Sequence, residues 1–220
     1  MAKPILYYFY RSSASWRVRI ALAIKDMEYE CRPVQLKKGE QFNPEFVALN
    51  PMAQVPCLII DGQTLTQSIP IIEYLDETRP ANKLLPSDPV QRFRAREITE
   101  VINSGIQPLA SLSPLKILKK AAGESFMSTY ANEVITKGFT TVERIMEQTA
   151  GEYCIGNDVT IADVTLAPMM LNANAFKVDM TKFPHIQRVN NKLIQLESFQ
   201  KADPKNQPDF DEETEKNWGK

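Results

Sequence analysis

Strand-like segments occupy only the first eighty or so residues of this 220-residue chain, and everything beyond a proline-spaced stretch at 80–89 is patterned as helix. Residues 4–10 are aromatic and β-rich, 15–26 place Trp16, Ile20, Leu22, Ala23 and Ile24 at mostly helical spacing, and 29–36 is β-like again. A polar loop runs from Lys37 to Asn43. Cys57-Leu58-Ile59-Ile60 and Thr64-Leu65-Thr66 then flank Asp61-Gly62, a pair suited to the positive φ angles of a tight hairpin turn. A helix from Ser68 to about Thr78 closes the segment.

The resulting order, β-α-β-α-β-β-α, is a thioredoxin-like arrangement, expected over residues 1–83. Pro80, Pro86 and Pro89 mark a linker. An all-helical domain is expected over 88–220, with helices near 89–111, 124–148, 160–174 and 185–197. The tail from Lys201, carrying Pro204, Pro208 and Asp211-Glu212-Glu213, reads as an extended cover or frayed end. The fold class is therefore α/β followed by all-α.

Composition narrows the function. Lys and Arg number 26 against 27 Asp and Glu, and neither half offers the basic face that nucleic acid or an anionic membrane requires. Cys31, Cys57 and Cys154 are odd in number and far apart, which suits a reducing compartment better than a disulfide framework. A single histidine, His185, argues against an all-protein zinc site. The N-terminus enters a strand with no apolar leader, and no run approaches the roughly 18 apolar residues of a membrane span. The expectation is a soluble cytoplasmic protein, with a mitochondrial fraction possible, that has neither a nucleic-acid nor a membrane partner.

The chemistry concentrates where the first strand meets the first helix, in Arg11-Ser12-Ser13-Ala14-Ser15-Trp16-Arg17. A redox Cys-x-x-C belongs at this place in a thioredoxin-like domain, and none is present. Two readings stand on the residues alone. Ser12 to Ser15 cap the helix, or Ser12 donates to a thiolate brought by another molecule, helped by the open amides of the helix N-terminus. A free thiol has a pKa of about 8.5, and each unit of lowering is worth about 1.4 kcal/mol.

Ser12 through Leu22 resembles the signature of the zeta-class glutathione transferases, the family that includes maleylacetoacetate isomerase. The likeness extends through Ala48-Leu49-Asn50-Pro51, Gln54-Val55-Pro56, Gln67-Ser68, Ile71-Ile72-Glu73-Tyr74-Leu75 and Leu84-Leu85-Pro86. In the helical half it includes Ser104-Gly105-Ile106-Gln107-Pro108-Leu109 and Thr160-Ile161-Ala162-Asp163. The resemblance implies glutathione as cofactor, with Ser12 and Ser13 as catalytic residues at its sulfur and Ala14, Ser15, Trp16 and Arg17 in the same binding segment. It further implies that Gln41 meets the glycine end, that Val55, before a cis proline, pairs with the cysteinyl portion, and that Gln67 and Ser68 hold the γ-glutamyl group. Gln107, Ser111, Leu112 and Ser113 complete the implied set from the helical half. Without the resemblance, the residues favour Val55-Pro56 as an ordinary strand-edge turn and Gln67-Ser68 as a plain helix cap.

Several other residues read as structural. Thr160 and Asp163 form a capping-box pattern, His185 after Pro184 starts a surface helix, and Ala167-Pro168-Met169-Met170 suits packing. Two positions depart from the family pattern: Ala14, where the motif usually reads Ser-Ser-Cys, and Ala175, where relatives commonly have an Arg before the Phe. Arg11 and Arg17 are the nearest cations that compensate, or else they are surface or dimer-contact residues.

The leading expectation is a glutathione-dependent cis–trans isomerase that converts maleylacetoacetate to fumarylacetoacetate in tyrosine and phenylalanine breakdown. Its substrate class is an unsaturated dicarbonyl acid or other small electrophile, and the expected assembly is a homodimer. The alternatives are a zeta-class transferase acting on small electrophiles such as α-haloacids, and a non-catalytic transferase-like assembly module.

Overall fold

A computed structural model describes residues 3–216. Two compact units emerge, residues 3–83 with 197–212 and residues 84–196 with 213–216.

The first unit is built on a four-stranded sheet in the order β2-β1-β3-β4. Its strands are β1 (Ile5–Tyr8), β2 (Glu30–Pro33), β3 (Cys57–Ile60) and β4 (Gln63–Thr66). β1 pairs in parallel with β2, Ile5 opposite Glu30, because α1 (Ser13–Ile24) carries the chain across between them. The other pairings are antiparallel, Leu6 opposite Leu58 and Leu58 opposite Leu65. The expected hairpin closes through Asp61 (φ 54°) and Gly62 (φ 73°), both left-handed as a two-residue turn demands. A short α2 (Pro44–Leu49) follows the polar loop, and α3 (Ser68–Thr78) begins and ends where the sequence predicts.

Alternation along β1 buries Leu6 and Tyr8, while α1 contributes Val18, Ile20, Ala21 and Leu22 and α3 contributes Ile71, Ile72 and Leu75, all fully buried. Burial of each large apolar side chain is worth about 1.5–3 kcal/mol. The end of α3 is fastened electrostatically. The buried Lys25 ammonium donates to Asp76 Oδ1 at 2.7 Å and to the carbonyls of Arg79, Ala81 and Asn82 at 2.8–3.0 Å. Arg79 grips Asp61 through two nitrogens at 2.6 and 2.8 Å, tying the hairpin turn to the same corner.

In the second unit α4 (Pro89–Glu100) passes into a wide π turn, Val101–Ile106. The sequence predicts one helix over 89–111. Asn103-Ser104-Gly105 are weak helix formers, and Gln107 N–H instead reaches back five residues to the Ile102 carbonyl at 2.9 Å. A Cβ on Gly138 would collide with Ile106, so that glycine lets the turn approach the next helix. That helix, α5 (Leu112–Thr149), starts twelve residues before the predicted 124. Pro114 sits in its first turn, where a missing N–H costs nothing, and the interruption comes instead at Gly123 (φ 87°).

α6 (Ile161–Ala175) opens on the expected capping box. Asp163 Oδ2 accepts from both Thr160 N and Oγ1, and Oδ1 accepts from Cys154 N at 2.9 Å. Burial pushes its carboxyl up, opposed by those bonds. α7 (Pro184–Leu193) is capped from a neighbouring helix: Glu143 accepts the N–H groups of His185 and Ile186 and also faces His185 Nδ1. No helix among the described residues is long and apolar enough to cross a membrane.

The tail departs from its expectation. It forms α8 (Glu197–Ala202), which packs on α1, and a 3-10 turn at Pro204–Asn206; residues 197–212 belong to the first unit. Periodicity groups 185–197 with the helices before it, whereas the contacts made beyond Leu196 are long-range and invisible to local pattern.

Candidate functional site

Ser12 is the N-cap of α1, with extended backbone angles (φ −68°, ψ 116°). Its own N–H closes a turn onto the Phe9 carbonyl at 3.0 Å, and its Oγ accepts from Ser15 N–H at 3.2 Å. Capping and thiolate binding are therefore compatible readings. A hydroxyl has one proton to donate and two lone pairs to accept with. The cap occupies a lone pair and leaves the proton of the half-buried Ser12 for an anion. No acidic residue lies in the first turn of α1, so the positive end of the helix is unopposed from within the helix. Ser13 and Ser15 are buried, and Ala14 is half-buried between them.

A second helix start repeats this chemistry. Gln67, the N-cap of α3, holds a left-handed backbone (φ 69°), unusual for a non-glycine residue and of the kind that gathers at ligand-clamping sites. Its side chain is exposed, while the adjacent Ser68 is buried. Pro70 removes one amide from the first turn of α3, and no carboxylate stands there. Arg17, fully buried, donates through Nη1 to Ser68 Oγ at 3.3 Å. This overturns the surface or dimer-contact reading of Arg17. Arg11 is buried too, at 2% exposure, so the same reading fails for it.

Val55 precedes a cis peptide bond, as expected. It is buried, and nothing among the described residues hydrogen-bonds its main chain. The loop before it is shaped by Asn50, whose side chain donates to the Gln54 carbonyl at 2.6 Å and accepts from Met52 N–H at 3.1 Å. The sequence reading assigns Asn50 no role; its place before Pro51 in a loop is the signal that could have done so. Gln41 sits in a 3-10 turn with a buried Oε1 that has no partner among the described residues, as has Trp16 Nε1. These are the groups a polar peptide-like ligand satisfies.

Ser12 to Arg17, Gln41, Val55, Gln67 and Ser68 thus share the first unit, and Arg17 joins two of its segments directly. Gln107, Ser111, Leu112 and Ser113 lie in the second unit. Gln107 follows the π turn, Ser111 Oγ donates to the Pro108 carbonyl at 3.3 Å, and Leu112 and Ser113 are exposed at the start of α5. Ala175 ends α6, beside the buried Phe176.

The chain's own thiols are poor nucleophiles. Burial pushes Cys57 up to about 11 and Cys154 well above its ordinary value. Cys31 is raised as well, chiefly by burial. Among the described residues no group of His, Cys, Asp and Glu is arranged to hold a metal ion.

Two family models match the chain. One, described as glutathione S-transferase, N-terminal domain, covers residues 3–77; the other, glutathione S-transferase, C-terminal domain, covers 112–201. Among curated relatives, the maleylacetoacetate isomerase of Mus musculus is 52% identical over 209 residues, spanning 94% of this chain and 95% of its own length. A bacterial maleyl pyruvate isomerase, described as a zeta-class glutathione S-transferase and solved in holo form, has a TM-score of 0.91 at 36% identity, covering 94% of this chain and 100% of the other. The maleylacetoacetate isomerase of Anaeromyxobacter dehalogenans 2CP-1, solved with glutathione in its active site, has a TM-score of 0.87 at 38% identity, with 95% and 98% covered.

Proposed function

The chain belongs to the glutathione S-transferase family, and from that premise we propose that it is a glutathione-dependent maleylacetoacetate isomerase of the zeta class. The observation that carries the reading is the pair of unopposed helix starts in one unit, one presenting the Ser12 hydroxyl and the other the Ser68 hydroxyl braced by Arg17. One binds a sulfur anion, the other a carboxylate, and glutathione carries both. The orphaned Gln41 Oε1 and the unengaged Val55 main chain support the same ligand, since a tripeptide offers an N–H to the Gln41 oxygen and both N–H and C=O groups to the Val55 main chain.

The chemistry that glutathione supplies when bound is a thiolate, which adds reversibly to a conjugated double bond and is returned unchanged. Ser12 Oγ–H donates a hydrogen bond to the sulfur and, with the first amides of α1, favours the ionised form. Ser13 lines the same place. Ser68 Oγ, already accepting from Arg17, turns its proton to the γ-glutamyl carboxylate, and the buried guanidinium adds positive charge behind it. Val55 pairs strand-like with the cysteinyl portion, and Gln41 meets the glycine end. Gln67 and Ser68 orient the ligand so that its sulfur reaches Ser12. The reaction's place is tyrosine and phenylalanine catabolism.

The finer assignments are a homodimer acting in the cytoplasm. Exposed Phe42 and Met52 in the first unit, and Val90 and Phe93 in the second, are the kind of large apolar side chains that self-association covers. Unpaired cysteines, two of them buried, suit a reducing compartment.

Calorimetric titration with glutathione, followed by turnover of maleylacetone, tests the reading. Tight uptake with isomerisation is expected, and absence of uptake rejects it. Ala14 and Ala175 favour a second reading, conjugation or dehalogenation of α-haloacids, because the first lacks a thiol beside the sulfur and the second lacks a cation for a substrate carboxylate. Dichloroacetate dechlorination without maleylacetone turnover would select it.

A further inference from the structure

We propose that Asp209, from the C-terminal return segment, is a positioning residue for Ser12, acting by clamping the main chain of Tyr10. The inference rests on the reading that Ser12 steadies the glutathione sulfur.

β1 ends at Tyr8, so Tyr10 has no strand partner for its N–H and C=O, although its side chain is fully buried. The far C-terminal segment supplies one and α1 the other. Tyr10 N–H donates to Asp209 Oδ2 at 3.0 Å, and the Tyr10 carbonyl accepts from Arg19 Nη2 at 2.9 Å. Arg19 Nε donates in turn to the Ala202 carbonyl at 3.1 Å, so one guanidinium bridges the Tyr10 carbonyl and the end of α8. The Tyr10 hydroxyl donates to the Asp211 carbonyl at 3.2 Å, and its ring meets Phe210 edge-on at 5.5 Å. Every polar atom of Tyr10 is thereby tied to residues 202–211 or to Arg19.

Ser12 follows two residues later, and its N–H closes a turn on Phe9, the residue before Tyr10. The orientation of that turn sets where the Ser12 hydroxyl stands relative to the first amides of α1. Asp209 is the acceptor that fixes the turn from outside. A hydroxyl misplaced by a few tenths of an ångström still caps a helix, but it donates less well to an anion held elsewhere. The charges around Asp209 are consistent with a rigid anchor. Burial lowers Arg19 to about 10, which leaves it cationic at neutral pH, and burial together with Asp209 raises Tyr8 far above its ordinary value, which keeps it a neutral phenol.

The test is the pKa of enzyme-bound glutathione, read from thiolate absorbance near 240 nm across a pH series, in the wild type, Asp209→Ala and Asp209→Asn. Calorimetry with S-methylglutathione, which has no ionisable thiol, controls for general loss of the site. Asp209→Ala is expected to raise the bound thiol's pKa by about one unit, a tenfold loss of thiolate, with S-methylglutathione affinity within about twofold. Asp209→Asn retains an oxygen acceptor for Tyr10 N–H and is expected to stay close to wild type. An unchanged pKa in Asp209→Ala overturns the proposal, and so does an equal shift in both variants, which would assign the effect to charge. If Asp209→Ala does not fold, Asp209→Ser is read by the same criteria. Failure of the underlying reading looks different: the wild type itself would show no lowering of the thiol pKa.

Discussion

Arg17 donates through Nη1 to Ser68 Oγ at 3.3 Å across fifty-one residues of sequence, with both side chains inside the first unit. A buried cation that donates to a hydroxyl leaves that hydroxyl's proton to point at an anion. Arg17→Met removes the charge while keeping most of the apolar stem. Loss of a charge-assisted bond costs about 1.5–3 kcal/mol, so glutathione affinity falls roughly 10–100-fold by calorimetry, while kcat at saturating glutathione changes much less.

Ser12→Ala separates the two tasks of one oxygen. Loss of the cap lowers stability by about 1 kcal/mol, visible as a reduced Tm. Loss of the donor costs more: about 100–1000-fold in kcat, as for other single oxyanion donors, with a higher pKa for the bound thiol. A rate near that of the wild type would assign the thiolate to Ser13 or the backbone amides.

Lys25 and Asp76 form an ion pair at 2.7 Å with side-chain exposures of 0% and 3%. Lys25→Met leaves a carboxylate buried and frees the carbonyls of Arg79, Ala81 and Asn82, a destabilisation of about 3–5 kcal/mol. Adding Asp76→Leu recovers part of it. Denaturant melts of the single and double variants check this, with glutathione affinity largely kept wherever the fold is intact.

The chain's thiols predict a labelling pattern. Because burial raises the Cys57 pKa to about 11, the thiolate fraction is small at neutral pH and grows only as pH approaches that value. In folded protein at pH 7.5, iodoacetamide therefore leaves Cys57 and Cys154 unmodified and reacts slowly with the half-exposed Cys31, as read by peptide mass spectrometry. Rapid alkylation of Cys57 would contradict the packing of β3.

What local chemistry dictates was legible. Asp61-Gly62 demanded positive φ and formed the turn, Ser68 opened α3, and Thr160 with Asp163 closed the capping box. What distance dictates was not. Nothing near Arg17 or Arg19 announces that two arginines of one helix are fully buried, since arginine is ordinarily a surface residue. Their partners, Ser68, Tyr10 and Ala202, are assembled by tertiary folding. The return of residues 197–212 escaped for the same reason, and the expected helix over 124–148 starts at Leu112 instead, with Pro114 in its first turn and an internal break at Gly123.

The bond from Ser15 N–H to Ser12 Oγ has a consequence for the timing of order. A serine on an ordinary loop samples several rotamers and loses that freedom only when a ligand arrives, which weakens the encounter. Here the rotamer is already chosen when α1 winds up, before any sulfur is present. In the proposed role of Ser12, readiness is in this sense a by-product of how the helix begins.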